Sequence, residues 1–204
     1  MAPPQSERPV NAAKLAMRDQ LLTARARRPL LEVAEQGGFL AERVLNLPEV
    51  RRAATLAAYV SIGTEPGTGL LLDALVAAGK RVLLPRLVAA TDGLPGWDLD
   101  WSVYHGPTSL APARFGLLEP LGPLLGVEAV AGADVVLVPG LAVSDTGLRL
   151  GRGAACYDRA LSRVPRGTLT CLLLYADEVG HAVPTEPHDL PVTAVATPDG
   201  VTYF

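Results

Sequence analysis

Apolar residues recur at helical spacing through AAKLAMRDQLLTARAR, where Ala13, Leu15 or Ala16, and then Leu21 and Leu22 fall on one face. Asn11 is placed to cap this helix and Pro29 to end it. A second helical pattern, Leu30 to Leu47, is interrupted by Gly37-Gly38 and bounded by Pro48. From residue 55 the period changes. TLAAYVS, a Gly/Thr/Pro loop, the helical LLLDALVAAG and then KRVLLP spell strand, helix, strand. The apolar runs Val135 to Val138 and Leu169 to Leu174 show no polar alternation, which predicts strands buried on both faces, as in a parallel sheet covered by helices. The pattern therefore predicts an α/β fold: a three-layer α/β/α domain with a largely parallel central sheet and a helical N-terminal region. Between residues 91 and 125, prolines, glycines and both tryptophans gather without a sustained period, the texture of irregular connection with short strands. In WDLDW, Trp97 and Trp101 alternate with acidic residues and read as one face of a strand, packed in the core rather than stacked on a ligand.

Composition narrows the class without changing the fold. A chain of 204 residues is long enough for one well-buried core, so residues 11–204 are expected to form a single domain after a flexible stretch at 1–10. Apolar residues at 49% and charged residues at 19% fit a globular protein rather than a disordered one. A formal charge of −3 offers no field for nucleic acid, and the basic cluster Arg25, Arg27 and Arg28 reads as the cationic end of a helix. Cys156 and Cys171 make no disulfide framework and no zinc pair, and MAPPQSERPV lacks the apolar core of a signal peptide. These features point to a cytoplasmic protein with no nucleic acid partner and no membrane segment; oligomeric state is not legible. His105, His181 and His188 are too dispersed for a metal site and read as surface or loop residues.

The chemistry concentrates in ADVVLVPGLAVSDTGLRLGRGAACYDRAL, a buried strand, then a glycine-rich stretch, then a helical one. In an open α/β sheet this is where loop amides meet phosphate. Gly147, Gly151 and Gly153 let backbone approach closely, and Arg149 and Arg152 add forked donors suited to phosphate oxygens. The segment matches neither GxxxxGK[ST] nor GxGxxG, so generic phosphate motifs do not decide its ligand. Read alone, several neighbours have plainer roles. Lys14 and Arg18 make a solvated helix face, and Asp158 an exposed partner for Arg159 or Arg163. Asp189 initiates a turn, and Cys156, with no base beside it, is a small packed side chain.

Matches at separated points favour the chemical alternative. GxRLGRGxxxYDR, preceded by VPGLAVSDTG, closely resembles the signature of the 5-formyltetrahydrofolate cyclo-ligase family. Further matches follow in order: Lys14 and Arg18 in KLAMR, Tyr59 to Glu65 in YVSIGTE, Leu84-Pro85-Arg86, FGLLEP at Phe115 to Pro120, and EPHD ending at Asp189. Together they span residues 11–197. The resemblance implies an ATP-dependent ligase that cyclises 5-formyltetrahydrofolate to 5,10-methenyltetrahydrofolate with Mg2+, releasing ADP and phosphate. It also implies the site. Lys14, Arg18 and the loop Arg149, Leu150, Gly151, Arg152, Gly153, Ala154, Ala155, Cys156 and Tyr157 correspond to ATP-binding residues. Asp158 and Asp189 correspond to Mg2+ ligands, and Val60 and Glu65 to the folate side. Arg149, Arg152 and Tyr157 are the implied catalytic residues. The implied partners are two small molecules, ATP and the formylated folate.

The loop departs from the family in its centre, Gly153-Ala154-Ala155-Cys156-Tyr157, where glycines and a second tyrosine are usual. A Cβ at Ala155 costs on the order of 1 kcal/mol if φ is positive there. Gly67 stands where members commonly carry an acidic residue. Two alternatives stay open at this point: a relative acting on another formylated or folate-like compound, and a non-catalytic folate or nucleotide binder.

Overall fold

The computed structural model describes residues 7–91, 93, 96–186 and 189–204. Of the flexible start expected over residues 1–10, the first six positions lie outside the described residues, as does His188. Helix α1 (Glu7–Ala26) begins four residues before Asn11, which is therefore not its cap. Helix α2 (Leu30–Leu45) runs unbroken through Gly37-Gly38, against the interruption expected from sequence. Its reason is close packing: a Cβ on Gly37 would stand 3.2 Å from the Cα of Gly67. Each glycine costs about 1 kcal/mol of helix propensity, and Gly37 admits the loop backbone onto the helix, whereas a Cβ on Gly38 would meet nothing within 4 Å.

After α3 (Pro48–Arg52), β1 (Thr55–Ala57), α4 (Gly69–Ala77) and β2 (Arg81–Ala89) form the expected βαβ unit, β1 and β2 pairing in parallel. The remaining strands are β3 (Trp97–Val103), β4 (Leu110–Pro112), β5 (Leu118–Pro120), β6 (Val135–Pro139), β7 (Ala142–Val143), β8 (Arg149–Leu150), β9 (Leu169–Leu173), β10 (Ala194–Ala196) and β11 (Val201–Tyr203), with α5 (Cys156–Ser162) between β8 and β9. Together with β1 and β2, five of these make the seven-stranded main sheet, in the order β11-β10-β9-β6-β1-β2-β3. Its five inner strands are parallel and only the edges β3 and β11 run antiparallel.

Alternation sorts the inner strands onto two cores. Leu56, Val82, Leu137 and Cys171 face α2, α3 and α4, whereas Ala57, Leu83, Val138 and Leu172 face α5 and a 3-10 turn at Val127–Gly132. Both faces being covered explains why these strands read as unbroken apolar runs. Trp97, Leu99 and Trp101 share the second face, with Trp101 fully buried and Trp97 at its margin.

Helix α1 covers neither face. Its Met17, Leu21 and Leu22 pack on Leu141, Ala142, Leu150 and Val183 around the small β7–β8 hairpin. Arg25 lies in the last turn of α1, as the basic cluster predicts, and is also buried there at 1% exposure. Its Nε and Nη2 donate to Glu178 at 2.6 and 2.7 Å, and Nη2 also reaches the Gly140 carbonyl at 2.7 Å. Helix α1 is thus pinned to the carboxyl end of β6. There the topology reverses, since β2 lies on one side of β1 and β6 on the other, and crevices beyond the strand ends at such a point are where open α/β sheets hold ligands.

Candidate active site

Three segments meet at this crevice: Tyr59 to Glu65 after β1, Pro139-Gly140 after β6, and the loop from Arg149 to Asp158. All three line the larger of two neighbouring cavities, and the last of them also lines the smaller. The larger, about 570 Å³, is walled by Val60, Leu87, Leu99, Phe115 and other apolar side chains, with Glu65, Arg152 and Tyr157 among them. The smaller, about 310 Å³, is polar and is lined by Lys14, Arg18, Glu186, Asp158 and Asp189. Arg149, Gly151, Gly153, Ala155 and Asp158 line both, so the loop is their common wall.

The residues singled out from sequence therefore do gather. Lys14, Arg18, Leu150, Asp158 and Asp189 border the polar cavity, and Val60, Glu65, Arg152, Ala154, Cys156 and Tyr157 the apolar cleft. Leu150 is itself packed in the α1 contact rather than displayed. One stripe of α1 supplies Lys14, Arg18, Leu21 and Arg25, spaced by four, three and four residues, which brings Lys14 and Arg18 to the polar cavity and Arg25 to Gly140 and Glu178.

Each cation is already held by a carboxylate or carbonyl. Lys14 Nζ donates to Glu186 Oε2 and Asp189 Oδ2, both at 2.7 Å, and the Glu186 amide donates to the same Asp189 oxygen at 2.8 Å. Burial alone would lower the Lys14 pKa, but the hydrogen bonds and charges of Asp189 and Glu186 outweigh it and hold the ammonium charged. Arg149 pairs with Asp158 at 2.6 Å, and Arg152 with Glu65 at 3.1 Å. Glu65 in turn accepts the Ile62 amide at 3.0 Å. Arg18 Nε donates to the Gly151 carbonyl at 2.8 Å.

The loop glycines make room for arginines. A Cβ on Gly151 would lie 2.5 Å from Arg149 Nη1, and one on Gly153, where φ is +98°, 3.3 Å from Arg18 Cζ. Ala155 does adopt the left-handed region, φ 55° and ψ 4°, directly before α5. Cys156 is buried in the second core, and burial raises its thiol pKa, as fits a packed side chain rather than a nucleophile. Burial and then the Glu65 charge push the Tyr157 phenol well above its ordinary range, so it is a donor at neutral pH.

Sequence reasoning missed part of this lining. Glu186 stood in plain view three residues before Asp189 in EPHD, and only the second acid of that motif was singled out. Trp97 and Phe115 meet edge to face with centroids 5.9 Å apart at the cleft mouth, with Arg114 over the indole. Nothing periodic in that irregular stretch announces the pairing.

Known proteins share this architecture. The 5-formyltetrahydrofolate cyclo-ligase family matches residues 10–198. A 5-formyltetrahydrofolate cyclo-ligase of Mycolicibacterium smegmatis is 45% identical over 144 residues, 71% of this chain and 73% of that one. The Escherichia coli K12 enzyme of the same name is 32% identical over 168 residues, 82% of this chain and 90% of its own. Among solved structures, the 5,10-methenyltetrahydrofolate synthetase of Aquifex aeolicus aligns with a TM-score of 0.76 at 27% identity, covering 93% of this chain and 92% of that one. A synthetase from Mycoplasma pneumoniae, at 18% identity and a TM-score of 0.69 over 91% of this chain and 98% of its own, shares the fold.

Proposed function

The chain belongs to the 5-formyltetrahydrofolate cyclo-ligase family, and from that premise we propose that it converts 5-formyltetrahydrofolate to 5,10-methenyltetrahydrofolate with ATP and Mg2+. The observation that carries this reading is the pair of cavities sharing one wall: an apolar cleft suited to a reduced pterin beside a polar one suited to phosphates.

A formamide carbon is a weak electrophile because its nitrogen donates into the carbonyl. Transfer of the terminal phosphoryl group to the formyl oxygen removes that protection: a P–O bond to the substrate forms as the P–O bond to ADP breaks. N10 then gives its electron pair to the formyl carbon and its proton to water. Phosphate departs with the electrons of the C–O bond, leaving the methenyl bridge. Arg149 in the shared wall and Arg152 in the apolar cleft offset the charge that spreads over the phosphoryl oxygens, Arg149 being held in line by Asp158. Lys14 and Arg18 bind the nucleotide phosphates from α1, and the loop from Leu150 to Tyr157 frames them. Val60 and Glu65 receive the folate, Glu65 as acceptor for ring N–H groups.

Asp158 and Asp189 open onto the same polar cavity. Two hard carboxylates fit Mg2+, which takes one or two protein carboxylates and keeps several waters alongside nucleotide phosphates. Bound there, the ion would offset phosphate charge.

The test is direct. Purified protein, Mg·ATP and 5-formyltetrahydrofolate are mixed, with the methenyl product followed by its absorbance and ADP by a coupled assay. Equal release of both is expected. Absence of both from a folded protein removes the proposal.

A further inference from the structure

Tyr59 was not among the residues assigned to either substrate, yet it lines the cleft and carries a buried hydroxyl with no hydrogen-bond partner among the described residues. It lies two residues beyond β1, at the carboxyl end of the strand, and is 4% exposed. Its backbone is fixed. The Thr68 hydroxyl donates to the Tyr59 carbonyl at 2.9 Å, while Ser61 and Thr68 exchange two further bonds of 2.9 and 3.0 Å between amide and hydroxyl.

The side chain has no such provision. Among the described residues, the buried hydroxyls of Tyr59 and Tyr157 find no hydrogen-bond partner. Both residues line the apolar cleft. Glu65, the carboxylate beside them, accepts the Ile62 amide through Oε2 and pairs with Arg152 through Oε1. Burial, reinforced by the Glu65 charge, keeps the Tyr59 phenol protonated at neutral pH. A phenylalanine would fill the same volume without the desolvation that a buried, unpaired hydroxyl incurs. The oxygen is therefore the atom that needs a function, and an acceptor in the cleft would supply one.

We propose that Tyr59 binds the substrate directly, donating a hydrogen bond to an acceptor on the heterocycle held in the cleft, and so helps to discriminate a pterin from an apolar ring of equal size. The inference rests on the folate reading above and goes beyond it by assigning a residue and an atom.

Tyr59→Phe in the full-length protein is the test, with steady-state kinetics in both substrates and thermal melting without ligand. KM for 5-formyltetrahydrofolate should rise about tenfold, the scale of one hydrogen bond. KM for ATP and kcat should stay within about twofold, the pattern of lost binding common to ground and transition state. The melting temperature should not fall. A folate KM within about twofold of the wild type overturns the proposal. So does a fall in melting temperature accompanied by equal rises in both KM values, which marks a packing role. Wild-type protein that turns over folate in the same assay assigns either failure to Tyr59 alone, whereas inert wild type overturns the folate reading and this inference with it.

Discussion

Ala155 holds φ at 55° with a Cβ attached, one of two non-glycine residues with positive φ among the described residues. The left-handed region costs an L-residue about 1–2 kcal/mol, and glycine returns part of that through its larger unfolded-state entropy. Ala155→Gly should therefore stabilise the protein by about 1 kcal/mol, raising the melting temperature by about 2–4 °C. Calorimetry on the two proteins checks it. Sequence identified this position only conditionally, because a residue's name does not state its φ; the backbone supplies the condition. Asp158 is the second residue at this scale. Asp158→Asn keeps the size but weakens both the Arg149 pairing and any Mg2+ contact, so turnover at limiting Mg2+ should fall by at least about tenfold, with unchanged circular dichroism. Unaltered turnover would remove Asp158 from the metal site.

At the scale of elements, two buried ion pairs fasten helices to the sheet, and neither is legible from local pattern. Arg25 and Glu178 lie 153 positions apart, and nothing in Arg25, Arg27 and Arg28 says which guanidinium turns inward. Arg25→Ala leaves Glu178 buried without its charge partner, and denaturant unfolding should show a loss of about 3–5 kcal/mol. Asp98 and Arg163 perform the same task between β3 and the end of α5, with bonds of 2.6 and 2.9 Å. Burial by itself would raise the Asp98 pKa, but the Arg163 hydrogen bonds and charge, helped by the Leu99 amide, hold it below the ordinary value. The carboxylate thus contributes stability that is present above its unfolded pKa of about 4 and lost as pH falls through the lower folded value. Asp98→Asn should be less stable at pH 7 and lose less on acidification; a parallel offset at every pH would refute this. Helix α2 teaches a related point. Gly37-Gly38 read as a break because a glycine pair weakens a helix locally, and only the distant Gly67 reveals what the missing side chain of Gly37 admits.

For the whole molecule, the buried strands and the βαβ unit were legible because their signals are contiguous. The loop from Arg149 to Asp158 was legible for the same reason. The cleft was less so: its wall draws on Tyr59, Leu87, Trp97, Phe115 and Pro139, which only the sheet order brings together. Stability does not depend on the proposed metal, because two hydrophobic cores flank the sheet without it. A chelator should abolish turnover and leave the melting temperature of the nucleotide-free protein within about 1 °C, whereas metal-built folds unfold. Scanning calorimetry with and without chelator distinguishes the cases.

The common wall between the cavities has one more consequence. Arg149, Gly151, Gly153, Ala155 and Asp158 touch both spaces, so a ligand that settles the loop from one side alters the surface offered to the other. Thermodynamic linkage makes that influence reciprocal: whatever factor a non-hydrolysable nucleotide contributes to folate affinity, folate must return to the nucleotide. The two proposed substrates are then each other's effectors, and a titration of either in the presence of the other measures that coupling.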